Sequence, residues 1–350
     1  MRFEPAGIPW AWYSDPEILR LEQERIFGRS WQYVGHTGQV EKPGDVVVAQ
    51  AGAIPVLVTR DEAGELHGLL NVCRHRGSIV VDEPGNRKSL QCPYHAWTYG
   101  LDGALRAAPR AEREGGIDLA ALSLVRLALG RWGPFLFVNP EPGASPLAEL
   151  LGELPELVAS AGIDVDRLRF HHRGAAELAA NWKLVCENFL ECYHCPVAHP
   201  GFSALVDVSP EAYGLEQGRW HSSQLGSVRQ NGRGLDVDGN VEHGQFHFLW
   251  PNLVLNIYPG RANLSLGPIA PLAPERTGRF LDYFFGEEVE QRWIDELLAF
   301  DEQVGREDAA LVERAQRGVR AGVVEHGALL PQSERLIVHF QALMAEALAG

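Results

Sequence analysis

Two short clusters of cysteine and histidine constrain this chain more than any other feature. Cys73-Arg74-His75-Arg76-Gly77 is followed, with sixteen residues between His75 and Cys92, by Cys92-Pro93-Tyr94-His95-Ala96-Trp97. Each half is a turn after a β-rich run, and turns let two side chains converge on one point. Two thiolates and two neutral imidazoles suit a tetrahedral zinc site. They equally suit a [2Fe–2S] cluster with both cysteines on one iron and both histidines on the other. Zinc-finger ligands usually come as a cysteine pair and then a histidine pair. Here each half mixes one of each, which suits two irons with different ligand sets. Imidazole ligands also raise a cluster's potential relative to four thiolates, so that it accepts electrons from a low-potential donor.

A second dense stretch runs from Asn181 to His199 (NWKLVCENFLECYHCPVAH). The spacing predicts a helix over Ala176–Cys195, with Glu187, Glu191, His194 and Cys195 along one face. Pro196 ends such a helix, and His199 folds back from the exit turn to meet His194. A third ligand comes from a long amphipathic helix expected over roughly Glu288–Arg317. Leu297, Val304, Leu311 and Ala315 mark its buried stripe, and Asp308 falls on it. An ionised carboxylate on a core face is costly unless paired or bound to metal. His194, His199 and Asp308 would make the triad of two histidines and one carboxylate of non-haem Fe(II) oxygenases. On spacing alone a zinc site of Cys192, His194, Cys195 and His199 stays open, as does a solvated Asp308. The upstream cluster favours the triad, because an electron-transfer centre needs an acceptor. The chain has five cysteines and an odd count makes a disulfide framework unexpected; Cys186, Cys192 and Cys195 are read as packing residues.

The rest of the chain frames these sites. Ser14-Asp15-Pro16-Glu17 opens a helix with a cap, a first-turn proline and an acid. From Trp31 to about Asn139, short β-rich runs (Val46–Val48, Val56–Thr59, Leu66–Val72, Ile79–Val81, Phe135–Val138) alternate with turn residues. Pro140–Pro146 reads as a linker. Further strands are expected at Phe246–Leu249, Leu253–Tyr258 and Arg279–Phe285, so the fold class is α+β with segregated elements. The expected division is 1–30, a helical segment packing on the catalytic domain; 31–145, the cluster domain; and 146–350, the mononuclear iron domain. A net charge of −15 argues against nucleic acid. No apolar run approaches the roughly 18–20 residues that cross a bilayer. The opening MRFEPAGIPWAWY lacks the basic and apolar blocks of a signal peptide, so a cytoplasmic protein is expected. No G-x-G-x-x-G follows a strand and no G-x-x-x-x-G-K-[ST] is present, so the chain shows no sign of binding its own nicotinamide, flavin dinucleotide or ATP.

CRHRG with CPYHAW resembles the Rieske motif of the ring-hydroxylating oxygenases. The later order N-W-K…E-N…acid-x-Y-H-x4-H, then a late helical Asp, is similar to the same family, as are the opening helix and WQYVGHTGQVEKPGD. The resemblance implies that Cys73 and Cys92 hold one cluster iron, His75 and His95 the other, and His194, His199 and Asp308 the catalytic iron. Glu191 takes the place of the acid that links a Rieske histidine of one subunit, here His95, to an iron histidine of its neighbour. That geometry implies a homotrimer, with electrons from a flavin reductase, directly or through a ferredoxin. Glu191, where many aromatic-ring dioxygenases carry Asp one residue further from E-N, resembles the branch acting on quaternary ammonium compounds. The implied reaction is O2-dependent hydroxylation of a small organic substrate, at a ring or at an N-methyl carbon with loss of formaldehyde. Phe189, Phe202, Phe246, Phe248, Trp250 and Tyr258 are candidate pocket residues. A Rieske electron carrier would need only the first cluster, and a zinc-stabilised binding module would need no cavity.

Overall fold

The computed structural model describes residues 7–114, 116–229 and 234–349. The chain divides into two compact units, Phe27–Leu147 and Met1–Ile26 with Ala148–Gly350.

The first unit is β-structure. Its seven-stranded antiparallel sheet runs in spatial order Gln32–His36, Phe135–Asn139, Arg126–Trp132, Leu66–Leu70, Ile54–Arg60, Asp45–Ala51 and Gly85–Asn86. A three-stranded sheet joins Leu90–Gln91, Thr98–Tyr99 and Leu105–Ala107. Strand alternation sorts the valine-rich text onto two faces. Val46 and Leu57 enter one core with Cys73, Cys92, Trp97 and Tyr99. Val47, Val56 and Val58 enter the other with Val34, Leu136 and Val138. The cysteines are therefore anchored in packed apolar structure. Ile79, expected in a strand, makes only an isolated bridge with Val72.

The second unit is built on another seven-stranded antiparallel sheet. Its order is Leu168–Leu178, Arg276–Gly286, Asn263–Ala273, Leu253–Ile257, His243–Leu249, His221–Ser227 and Tyr213–Gln217. The helices include Pro16–Arg25, Trp182–Phe189, Gln291–Val319 and Arg335–Ala349. Asp15 caps the first, accepting from the Glu17 N–H.

The helix expected over Ala176–Cys195 is broken into pieces. Residues 176–178 finish a strand, the helix itself is Trp182–Phe189, and a short helix, Cys195–Ala198, follows a turn. Asn181 caps the middle piece by accepting from the Lys183 N–H at 2.9 Å, which starts it at Trp182, six residues later than the apolar spacing suggests. The N-W-K motif explains itself here. Glu22 accepts from Trp182 Nε1 at 2.7 Å and from Lys183 Nζ at 2.6 Å, and all three residues are fully buried. A buried charge is tolerable only with such a partner. The stripe of the long helix also differs: Trp293, Leu297, Asp301, Val312 and Gln316 are buried, whereas Ala315 is exposed. Cys192 and Cys195 are joined as a disulfide, against the expectation of free packing thiols. The turn after the helix brings their Cα atoms to 4.9 Å, well within bridging range. Cys186 stays free and buried.

Beside this network Glu187 accepts from Tyr13 Oη and Gln341 Nε2. Burial pushes its carboxyl up to about 7, from an ordinary 4.5, against the lowering effect of Gln341, Tyr13 and Lys183. A carboxyl whose folded pKa is raised contributes most below its unfolded pKa and loses that contribution as pH rises to the folded one. The wild type should therefore lose about 3 kcal/mol between pH 4.5 and 7 from this group. Glu187→Gln removes that slope. Urea unfolding of both proteins across this range checks it: a constant difference between them would contradict the assignment.

Candidate metal centres

The two cysteine–histidine turns are built alike. Cys73 N–H donates to Ser78 O and its carbonyl accepts from Gly77 N–H; Cys92 N–H donates to Trp97 O and its carbonyl accepts from Ala96 N–H. The fourth residue after each cysteine is left-handed, Gly77 at φ 73° and Ala96 at φ 56°, which is why the motif needs small residues there. Cys73 and Cys92 are buried, whereas His75 and His95 are exposed, with ring centroids 4.6 Å apart. Trp97 stacks on His75 at 4.9 Å, and Tyr99 Oη lies 3.3 Å from Cys73 Sγ. Burial opposes ionisation of Cys92, but the Tyr94 N–H, Cys73 and the His95 N–H outweigh it and hold the thiol below its ordinary value. Burial, His75 and Arg76 hold His95 below its own. Thiolate and neutral imidazole are the ligand forms a cluster needs.

Zinc at about 2.0–2.3 Å from four ligands holds them roughly 3.3–3.8 Å apart. Among the described residues the group that brings three ligand atoms within 4.8 Å of one another is His194, His199 and Asp308, not the four motif residues. A sulfur pair inside and an imidazole pair outside suit a two-iron cluster with a different ligand pair on each iron.

His194, His199 and Asp308 do converge. His194 Nε2 is 3.1 Å from His199 Nε2, which is 2.9 Å from Asp308 Oδ1; His194 Nε2 to the same oxygen is 3.5 Å. Ligands about 2.1 Å from one ion and at right angles stand about 3 Å apart, so the set fits a facial triad. The outer nitrogens are fixed too: Glu307 Oε2 lies 2.7 Å from His199 Nδ1, and Glu191 is bonded to His194 Nδ1. Carboxylates behind metal-bound imidazoles orient the ring and raise its basicity. Burial alone would lower His194, but its hydrogen bonds to Asp308 and Glu191 push it up to about 9. Burial would raise Asp308, and the two histidines bring it down to about 2. So much negative charge around two imidazoles is a place for a cation. Glu191 and His194 lie beyond the helix end, and Asp308 comes from the long helix.

The triad opens on a cavity of about 90 Å3. Phe189, Phe202, Phe246 and Tyr258 line it. Phe246 packs edge-on to Phe202 and Tyr258, each at 5.4 Å between centroids. Phe248 and Trp250, also expected there, pack on Phe340 instead; they share Phe246's strand face but lie further along it, against the helix Arg335–Ala349. Sequence reasoning missed Glu307, Tyr213, Arg279 and Asp301. Asp301 is 6% exposed and accepts from Tyr258 Oη at 2.6 Å and Tyr283 Oη at 2.5 Å. Asp301 sits seven residues before Asp308, two helical turns away, a spacing that places both on one face.

Residues 165–350 match the family described as ring hydroxylating alpha subunit (catalytic domain), and residues 30–126 match the Rieske [2Fe-2S] domain. The chain belongs to the ring-hydroxylating oxygenase family. It is 31% identical to the carnitine monooxygenase oxygenase subunit of Acinetobacter pittii, over 97% of this chain and 94% of that one. It is 30% identical to the chloroplastic choline monooxygenase of Beta vulgaris, over 97% and 76%. The crystal structure of the quaternary ammonium Rieske monooxygenase CntA with gamma-butyrobetaine superposes with a TM-score of 0.84, at 28% identity, covering 98% of this chain and 95% of that one. Naphthalene 1,2-dioxygenase from Rhodococcus shares the fold, with a TM-score of 0.82 at 23% identity. This oxygenase therefore carries a Rieske [2Fe–2S] cluster and a mononuclear iron, and oxidises a small molecule with O2 and electrons from a separate donor. The zinc module and the isolated electron carrier are set aside. No helix among the described residues is long and apolar enough to cross a membrane.

Proposed function

We propose that this oxygenase hydroxylates a carbon bonded to the nitrogen of a quaternary ammonium compound, with His194, His199 and Asp308 holding the iron and Cys73, His75, Cys92 and His95 the cluster. One observation carries the substrate class. Beside the triad, aromatic rings and the buried Asp301 carboxylate face one cavity, and Asp301 has no cationic side chain within ion-pair distance among the described residues. A neutral aromatic substrate gains little from a buried carboxylate. A quaternary ammonium gains from it and from the rings by cation–π attraction. Burial, then Asp301, holds the Tyr258 and Tyr283 hydroxyls well above the ordinary tyrosine range, so both stay O–H donors that keep the carboxylate in place. The relatives named for carnitine, choline and gamma-butyrobetaine support the same reading.

The iron, when bound, supplies O2 activation. The chain's own residues hold the cation among Phe202, Phe246 and Tyr258, keep bulk water from the cavity, and fix both imidazoles through Glu191 and Glu307. A carbon hydroxylated next to a quaternary nitrogen releases the amine and leaves an aldehyde. Glu191 is proposed to carry the path from His95 of another copy to His194, in a homotrimer. Exposed apolar residues flank both ends of that path: Tyr94 at 55% beside His95, and Tyr193 and Val197 at 65% and 90% around His194. Such exposure near functional residues suits an interface. The electron donor would be a flavin reductase, alone or through a ferredoxin, in the cytoplasm.

The test is O2 uptake by iron-loaded enzyme with a chemical electron donor and a substrate panel. Trimethylammonium compounds should stimulate uptake and release about one aldehyde per O2. Stimulation by aromatic hydrocarbons alone would refute the reading.

A further inference from the structure

We propose that Arg279 binds the anionic end of the substrate, so that the compounds taken are trimethylammonium carboxylates rather than trimethylammonium compounds with a neutral tail. This rests on the quaternary ammonium reading above and narrows it. Arg279, Leu281 and Tyr283 alternate along the strand Arg276–Gly286, so their side chains share one face. They line a second cavity, of about 390 Å3, against the long helix Gln291–Val319. Arg279, Leu281, Asp301 and Gly305 line this cavity and the triad's cavity alike. The two spaces thus share a wall, and a molecule with its cationic head among the rings near the iron ligands would extend toward Arg279.

Gln224 Oε1 on the triad's cavity has no partner, but among the charged side chains of the described residues on these walls the guanidinium is the unmatched one. Glu177 pairs with Arg276 at 2.8 Å, Arg306 with Glu302 at 2.6 Å, and Asp308 with the two histidines. The oxygens of Asp301 are each taken by a tyrosine hydroxyl. Arg279 is half-buried and has no hydrogen bond or ion pair among the described residues. Its N–H donors are partly shielded from bulk water and have no protein acceptor, and a carboxylate matches them two at a time. A single charge is favoured over a dianionic phosphate, which would leave excess negative charge close to Asp301.

The long helix makes room for this side chain. Gly305 lies inside a 29-residue helix, where glycine is less favourable than alanine. A Cβ built there would stand 3.3 Å from Arg279 Nη2. The helix thus carries its weakest residue type where the guanidinium lies against it.

Four ligands test the proposal by calorimetric titration of the metal-loaded enzyme: 4-trimethylammoniobutanoate, its methyl ester, the uncharged-head analogue 5,5-dimethylhexanoate, and that acid's methyl ester. The wild type should prefer each acid over its ester by about ten-fold or more. Arg279→Leu should bring acid and ester to near equality without weakening ester binding, and Arg279→Lys should keep part of the preference. In turnover, Arg279→Leu should raise KM for the acid far more than it lowers kcat. A wild type without the preference, one that binds none of the four, or an Arg279→Leu variant that keeps the preference, overturns the assignment. An acid preference with no gain from the trimethylammonium head would uphold Arg279 and refute the quaternary ammonium reading instead.

Discussion

Replacing Asp308 with alanine should lower the iron content from about three to about two per chain while the acid-labile sulfide stays at about two. The reduced cluster should keep its EPR signal, and O2-dependent turnover should vanish. Among the described residues Asp308 is the one carboxylate whose oxygen lies within 3.5 Å of both His194 Nε2 and His199 Nε2. Glu191 and Glu307 reach only the outer nitrogens. Without Asp308 two neutral imidazoles remain, one fewer ligand and one fewer negative charge than a facial triad needs. The first cluster is supplied by other elements, Cys73 to His95, so its content is a built-in control for folding. Glu307→Gln should behave differently. It loosens the orientation of His199 and should weaken iron affinity by about 10–100-fold without abolishing it. Undiminished iron in Asp308→Ala would dismantle the triad.

How much of this was legible in the sequence depended on distance along the chain. The cysteine–histidine turns were readable because their ligands lie two or three residues apart, and the left-handed Gly77 and Ala96 are written into the same few letters. His194 and His199 were readable for the same reason. Asp308 was found through a rule about charge on a helix face, although the stripe assigned to that helix was partly wrong: Ala315 is exposed, and Asp301 and Gln316, outside that stripe, are buried. The broken helix at 176–195 was missed because its apolar spacing is helical throughout. Asn181 decides the start by capping, and pairing of Leu168–Leu178 with Arg276–Gly286 takes residues 176–178 into a sheet. Long-range pairing is invisible to periodicity. Arg279 and Asp301 escaped for a related reason, since an arginine on a strand and an aspartate on a helix look solvated until the fold turns them to a common cavity.

Glu191→Gln should keep about three irons and two sulfides per chain and still lose turnover by about 100-fold or more. Glu191 is held at both oxygens. One is bonded to His194 Nδ1, and the other accepts from the backbone N–H groups of Tyr193 and His194. Glutamine keeps the shape but replaces one acceptor with an NH2 that faces those donors. The Nε2 atom that belongs to the triad is not touched, so any loss of iron affinity should stay within the about 10–100-fold expected of Glu307→Gln and be made good by excess Fe(II). Loss of iron that excess Fe(II) does not restore would make Glu191 a positioning residue for His194 and nothing more. If the carboxylate carries the path from His95 of a neighbouring copy, dithionite should still reduce the cluster at the wild-type rate. Its reoxidation by O2 and substrate should then be slow. Co-expression separates a path between chains from one within a chain. Cys92→Ser chains lack a working cluster and Asp308→Ala chains lack the iron, so each alone should be inactive. Mixed assemblies of the two should regain a fraction of wild-type turnover, because an intact cluster in one chain then faces an intact triad in the next. Mixed assemblies as inactive as either parent would confine the electron path to a single chain and remove the reason for a trimer.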